Sequence, residues 1–94
     1  MRLRIRLLGV LREAGGSKEL VINAPDDSTV GTVIKQIINE DQTLRTALWD
    51  ETVDSPIPNA LIMLDGVEVN NLQGTETPVK ENQELVLLSV VHGG

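Results

Sequence analysis

The feature that most constrains the fold is an apolar run, LVLLSVV at residues 85–91, that lies almost at the end of the chain. Apolar side chains occupy both alternating sets of positions in this run, whereas a strand with one wet face alternates apolar and polar residues. A strand that is apolar on both alternations is typical of one that is covered on both faces, inside a sheet. The sequence therefore predicts a central strand over residues 84–91 that leads, after His92, directly into Gly93 and Gly94.

A hairpin is predicted at the beginning of the chain. RLRIRL at residues 2–7 alternates strictly, as a strand with one buried face does. Residues 19–23 are predicted to form the partner strand, which ends at Pro25. The two strands would be joined by a long connection that contains Gly15 and Gly16.

A second hairpin is predicted in the latter half of the chain. Residues 60–64 form an apolar run, and the Asp65-Gly66 pair that follows is a strong signal for a two-residue turn. The chain returns briefly over residues 67–69. Before the last strand, Asn82 suits the left-handed conformation that a tight turn needs.

One amphipathic helix is predicted between the two hairpins. DDST at residues 26–29 is a helix-start signal, because hydroxyl oxygens cap free backbone amides and acids favour the positive end of the helix dipole. The apolar residues that follow recur with helical spacing over about three turns. They are Val30, Val33, Ile34, Ile37 and Ile38. A shorter helical piece is expected at residues 44–49, and residues 50–59, with two prolines and no pattern, are expected to be a loop.

This order of elements is that of an α+β domain, in which one main helix packs on one face of a mixed sheet in two layers. The natural closure places the last strand beside the first, in parallel, at the centre of the sheet. We expect a single domain over residues 1–94, with no internal boundary and with a flexible Gly-Gly tail.

One helix covers only one face of the sheet, so part of the last strand is expected to face away from it. The apolar set on that open face would be either Val86, Leu88 and Val90 or Leu85, Leu87 and Val91. An apolar patch of this kind usually marks a docking surface. The alternative is that the chain's own loop, residues 50–59, covers it.

Composition and charge exclude several classes of function. The chain has no Cys, so it has neither disulfides nor thiolate metal sites. No segment is apolar and long enough to span a bilayer, and the first residues lack the apolar stretch of a signal peptide, so we expect a cytoplasmic protein. A net charge of −6 disfavours direct binding to nucleic acid or another polyanion.

The basic residues are unevenly distributed. Five of the eight lie in the first eighteen residues, against the single acid Glu13. Arg4 and Arg6 could therefore form a basic stripe that binds an acidic protein surface. A solvated strand face is the alternative reading of the same residues.

Groups for catalysis are scarce. His92 is the only His, there is no Cys or Tyr, and Ser or Thr nucleophiles lack a positioned base. Gly15 and Gly16 are not followed by the Lys-Ser/Thr of a phosphate-binding loop. We therefore expect no self-sufficient enzyme, no metal site and no bound cofactor.

The carboxyl end is the remaining chemical candidate. Gly93 and Gly94 lack a Cβ, so the last peptide can pass through a narrow channel. The α-carboxylate is ionised at neutral pH and is a poor electrophile, so another enzyme has to activate it, usually as a mixed anhydride with AMP. Sulfide would then convert the acyl group to a thiocarboxylate, and an amine would convert it to an amide.

Several short stretches resemble, in order, the MoaD/ThiS family of sulfur carriers and the related ubiquitin-like small modifiers, which share the β-grasp fold. Residues 5–15 (IRLLGVLREAG) resemble the family's opening strand and its "LREAAG" stretch, and residues 28–34 (STVGTVI) resemble its "TVGELL" helix start. Further matches are DGVEV (65–69) with "NGxxV", LQGTETPVK (72–80) with "LxGLDTPLK", and ENQEL (81–85) with "DGDEV".

The resemblance implies a sulfur carrier, the MoaD-like small subunit of molybdopterin synthase in molybdenum cofactor biosynthesis. A ubiquitin-activating-type (MoeB-like) enzyme would use ATP to adenylate Gly94, and a sulfurtransferase would make the thiocarboxylate. The carrier would then dock on a MoaE-like large subunit, with Gly93 supplying flexibility. The residues that we expect to bind partners are Val86, Leu88, Val90, His92, Arg4 and Arg6.

Two other functions stay open. LSVVHGG at residues 88–94 departs from the end that molybdopterin-synthase members commonly have, a phenylalanine and two prolines before a small residue and Gly-Gly. A His before Gly-Gly resembles the ubiquitin-related modifiers that supply sulfur for tRNA thiolation and conjugate to proteins. A plain β-grasp interaction module with an inert end is the third possibility.

Overall fold

The computed structural model describes residues 1–16 and 18–90. These residues form a five-stranded mixed sheet with its helices packed on one face. The elements in chain order are β1 (Arg2–Leu8), α1 (Val10–Ala14), β2 (Glu19–Asn23), α2 (Val30–Asn39), α3 (Gln42–Leu48), β3 (Ala60–Leu64), β4 (Val67–Glu68) and β5 (Glu84–Ser89). Short 3-10 turns at Val69–Asn71 and Gly74–Glu76 join β4 to the segment before β5.

The strand order is β2-β1-β5-β3-β4, so the predicted position of the last strand is confirmed. β5 lies parallel to β1 and antiparallel to β3, with Leu85 opposite Ile5 and Leu87 opposite Leu7. Leu85 and Leu87 are fully buried in the core beneath the helices. The two-layer α+β architecture predicted from the sequence is therefore correct.

The main helix, α2, begins where the sequence predicts. The Thr29 hydroxyl accepts a hydrogen bond from the Thr32 N–H, and the Thr32 hydroxyl oxygen accepts one from the Thr29 N–H. This reciprocal capping box satisfies amides that have no partner inside the helix. All five apolar residues of the predicted helical stripe are buried, and they hold α2 against the sheet. Each fully buried aliphatic side chain of this size contributes about 1.5–3 kcal/mol.

The turns also follow the sequence. Asp65 and Gly66 both have positive φ, 46° and 82°, as the tight turn between β3 and β4 requires. Asn82 has a φ of 65°, in the left-handed region expected for it. The first of these turns sets the register between β3 and β4, in which Leu64 lies opposite Val67.

Several features differ from the sequence predictions, among them α3, which was expected at residues 44–49 and spans Gln42–Leu48. The connection between β1 and β2 contains the helix α1, which was not predicted. The last strand is Glu84–Ser89 and so is shorter than predicted, although the Val90 N–H still donates to the Asn59 carbonyl in register with β3. β4 is shorter than predicted, since Val69 already belongs to a 3-10 turn. The predicted Gly-Gly tail lies outside the described residues.

Candidate functional site

The face of the sheet opposite the helices carries an apolar patch that is centred on β5. Leu88 lies between Leu8 of β1 and Leu61 of β3 in the strand register, and Val86 lies between Arg6 and Met63. We call the five apolar members of this group the open-face patch. They are Leu8, Leu61, Met63, Val86 and Leu88.

The exposure of this face increases toward the end of the chain. Val86 is 7% exposed, Leu88 is half-buried, and Val90, just beyond the strand, is 43% exposed. The sequence left two sets of side chains as candidates for the open face of the last strand. The set that lies outside the core is Val86, Leu88 and Val90. Leu85 and Leu87 face the helices, and Val91 lies outside the described residues.

The predicted basic stripe lies on the same face, beside the apolar patch. Arg4 and Arg6 share one carboxylate, Glu84, with Nη1–Oε separations of 3.9 and 4.0 Å. The two arginine side chains are 52% and 37% exposed, and ion pairs this exposed contribute little to stability. Glu19 lies opposite Arg6 in the register between β1 and β2, so two carboxylates accompany the two arginines on this face.

Two hydrogen bonds hold the point at which the chain leaves the sheet, and sequence reasoning missed both. On the β1 side, the Ser89 Oγ accepts from the Val10 N–H at 3.3 Å. On the β3 side, the Val90 N–H donates to the Asn59 carbonyl oxygen at 2.9 Å. We call Ser89 and Val90 the tail base.

Both hydrogen bonds are supported by neighbouring residues. Asn59 is itself fixed, because its Nδ2 donates to the Leu48 carbonyl oxygen at 3.2 Å, at the end of α3. Gly9 leaves room for the Ser89 hydroxyl, since a Cβ at this glycine would lie 2.6 Å from the Ser89 Oγ. The sequence signal for this arrangement is faint: a lone glycine directly after β1 and an asparagine directly before β3.

The residues predicted to carry the chemistry, Gly94 with Gly93 and His92, lie outside the described residues, so their roles stay predictions. Within residues 1–16 and 18–90, no group of three His, Cys, Asp or Glu side chains is placed to hold a metal ion. Across the same residues, none of the helices has both the length and the apolar character needed to cross a membrane.

The pKa of Arg45 is shifted by an ion pair on the surface. Arg45 donates two hydrogen bonds to the Glu51 carboxylate, from Nε at 2.8 Å and from Nη2 at 3.2 Å, and these raise the pKa of Arg45. A guanidinium is protonated at every physiological pH, so this shift changes no charge. The described residues therefore provide surfaces for binding, with the tail base beside them.

Comparison with known proteins places these features among small ubiquitin-like proteins. The ThiS family model matches residues 5–94. Small archaeal modifier protein 3 from Haloferax volcanii is 29% identical over 94 residues, which cover 100% of both chains. The solution structure of the Haloferax volcanii HVO 2177 protein superposes with a TM-score of 0.85 at 28% identity, covering 100% of this chain and 87% of that chain.

A more distant structure contains a partner. Subunit 1 of the molybdopterin-converting factor from Helicobacter pylori was solved as a complex with subunit 2. It has a TM-score of 0.63 and 21% identity, with 100% of both chains covered. At this identity the likeness shows a shared fold.

Proposed function

This chain belongs to the ThiS family of ubiquitin-like β-grasp proteins, and on that premise we propose that it carries an activated acyl group on the carboxyl end of Gly94. A partner enzyme of the ubiquitin-activating type uses ATP for this step. A carboxylate oxygen of Gly94 attacks the α-phosphorus, pyrophosphate leaves, and an acyl-adenylate forms. The chain is then the substrate in this reaction and supplies no catalytic group of its own.

The observation that carries the proposal is the direction in which β5 runs. The strand passes from the core along the open-face patch, and its exposure increases until Val90. A partner that covers the patch therefore also lies next to Val90, the residue from which the chain continues toward Gly94. Apolar burial favours docking in proportion to the area covered, and this requires no catalytic side chain on the carrier.

The residues proposed to contact partners divide into two groups. Leu88 and Val90, with Val86 beneath them, supply apolar area next to the chain end. Arg4 and Arg6 supply positive charge at the border of the patch, where such charges mainly increase the association rate and the specificity. His92 is proposed as a further contact because it directly precedes Gly93 and Gly94 in the sequence.

For the activated group, we propose first that an amine accepts it and that the protein is a modifier. The ε-amino group of a lysine attacks the acyl carbon, AMP leaves, and an amide bond joins Gly94 to the target. Full-length similarity to small archaeal modifier protein 3 supports this fate.

The second candidate is sulfur transfer. A sulfurtransferase supplies sulfide, which displaces AMP from the same acyl carbon and gives a thiocarboxylate at Gly94. Membership of the ThiS family supports this chemistry. The motifs at residues 5–15 and 72–80 support a MoaD-like role, in which the thiocarboxylate passes its sulfur to the molybdopterin precursor on a MoaE-like large subunit.

Mass spectrometry tests both fates in one experiment. The protein is incubated with ATP, its cognate adenylating enzyme, and either a sulfide source or a lysate that contains target proteins. An oxygen-to-sulfur exchange on the intact chain supports sulfur transfer, and Gly94 remnants on target lysines support modification. A chain that stays unchanged under both conditions contradicts the proposal, and a variant lacking Gly93 and Gly94 is the matched control.

A further inference from the structure

The tail base is held from two sides, and the two contacts come from separate parts of the fold. The Ser89 hydroxyl ties it to the first residue of α1, through the Val10 N–H at 3.3 Å. The Val90 N–H ties it to the residue before β3, through the Asn59 carbonyl at 2.9 Å. This second contact continues the register between β3 and β5 by one pair beyond the Ala60–Ser89 pair.

The residues that make these contacts are themselves fixed in the fold. The Asn59 side chain donates to the Leu48 carbonyl, and Leu48 is fully buried. Gly9 has φ +64° and ψ −141°, a conformation that side chains rarely tolerate, and it leaves room for the Ser89 hydroxyl. The pairing of the strands does not depend on the hydroxyl of Ser89 or on the side-chain amide of Asn59.

We propose that Ser89 and Asn59 are positioning residues that hold Val90 in place, so that the Gly94 carboxyl group, four residues further along the chain, enters a docked partner from one defined point. This inference rests on the proposed activation of Gly94. Four residues follow Val90, and an extended chain of four residues spans at most about 14 Å. The reactive centre of the partner must then lie within that distance of Val90 when the open-face patch is covered.

The proposal has a kinetic signature because the protein is the substrate of the activating enzyme. A tail base that is held in place has less conformational freedom to lose when the chain end enters the partner. If the tail base is loosened, docking on the open-face patch is unchanged, and KM therefore stays constant. Fewer of the docked molecules place Gly94 in the reactive position, so kcat falls. Partial unfolding has a different effect, because it lowers the effective substrate concentration and raises the apparent KM.

The experiment compares Ser89→Ala and Asn59→Ala with a matched control, Ser55→Ala. In the control position, the Ser55 hydroxyl also accepts from a backbone N–H, that of Ile57 at 3.2 Å, and the residue is also half-buried. Pyrophosphate release is measured with the cognate adenylating enzyme. We expect each test variant to lower kcat about two- to tenfold at constant KM, the range that the loss of one hydrogen bond gives.

Two further measurements keep the inference falsifiable if a variant is less stable. Amide hydrogen exchange needs no enzyme, and the Val90 N–H should exchange faster in Asn59→Ala than in the wild type or in Ser55→Ala. Ser89→Thr keeps the hydroxyl and should recover the kcat that Ser89→Ala loses.

The outcomes separate this inference from the proposed function. If the cognate enzyme does not adenylate the wild-type chain, both the proposed function and this inference are overturned. If the wild-type chain is adenylated, two results overturn the positioning role alone. Either Ser89→Ala and Asn59→Ala have the same kcat as the wild type, or their whole loss of activity is in KM. An equal loss of kcat in Ser55→Ala also overturns it.

Discussion

At the scale of single residues, Gly9 combines a constrained backbone with a close contact. Its φ of +64° lies in the region that favours glycine, and a Cβ there would approach the Ser89 Oγ to 2.6 Å. Gly66 has a φ of +82°, but a Cβ added to it would meet no atom within 4 Å. Comparison of the two positions therefore separates backbone strain from steric overlap.

We expect Gly9→Ala to lower the free energy of unfolding by about 1–3 kcal/mol, the cost of a strained backbone, with the steric overlap added. Gly66→Ala is the matched control and should cost less, because it adds strain without overlap. Both are measured by urea denaturation. The double variant Gly9→Ala/Ser89→Ala removes the overlapping oxygen, so its loss should be smaller than the sum of the single losses. Strict additivity would contradict the proposed contact.

At the scale of elements, the N-terminus of α2 depends on one reciprocal pair. Thr29 and Thr32 satisfy each other's backbone N–H through their hydroxyl groups. Because α2 carries the buried stripe that covers the sheet, the stability of this end contributes to the stability of the whole domain.

We expect Thr29→Ala to reduce the free energy of unfolding by about 0.5–2 kcal/mol, as the loss of an N-cap does. Thr29→Ser keeps the capping oxygen and is the control, so it should stay close to the wild type. Thermal and urea denaturation measure both variants. Equal losses in Thr29→Ala and Thr29→Ser would show that the cap contributes nothing.

The elements also show what the sequence could predict. β2 and β3 have the predicted limits, because alternation, apolar runs and the Asp65-Gly66 turn are local signals. α1 was missed because it has five residues and one buried side chain, Leu11, which is too little for a periodic pattern. The open face of β5 could not be assigned, since both alternating sets are apolar and only pairing with buried β1 and β3 residues decides between them.

At the scale of the whole molecule, one face of the sheet is packed against helices and the other combines apolar and basic residues near the chain end. The candidate partner contacts Arg4, Arg6, Val86, Leu88 and Val90 were named from the sequence, and the fold brings them to this face. The tail base was not foreseen, because the residue that holds Val90, Asn59, is distant in sequence and acts through its backbone carbonyl.

Leu88→Ser tests the apolar part of this surface. Leu88 is half-buried on the open face, so the change should leave the fold intact and increase the Kd for the adenylating enzyme about tenfold, as the loss of a well-packed interface residue does. Leu72→Ser is the control, since Leu72 is 46% exposed and lies outside the sheet. Titration calorimetry measures both, and equal Kd values for the two variants would place the docking surface elsewhere.

Charge reversal tests the basic part. Arg4→Glu and Arg6→Glu should slow association with the adenylating enzyme and weaken its dependence on salt, because long-range attraction between exposed charges is screened by ions. Arg12→Glu makes the same change in net charge on α1, off the sheet, and should have a smaller effect. Association rates at low and high salt give the comparison. Indistinguishable rates for the three variants would mean that Arg4 and Arg6 form only a solvated face.

The central claim is that the free carboxyl group of Gly94 is the group that a partner enzyme activates. The most direct measurement is ATP–pyrophosphate exchange catalysed by the cognate adenylating enzyme, with the wild-type chain and with a chain extended by one uncleavable residue after Gly94. We predict exchange with the wild-type chain and none with the extended chain, although both bind the enzyme through the open-face patch. Equal exchange with the two chains would contradict the account.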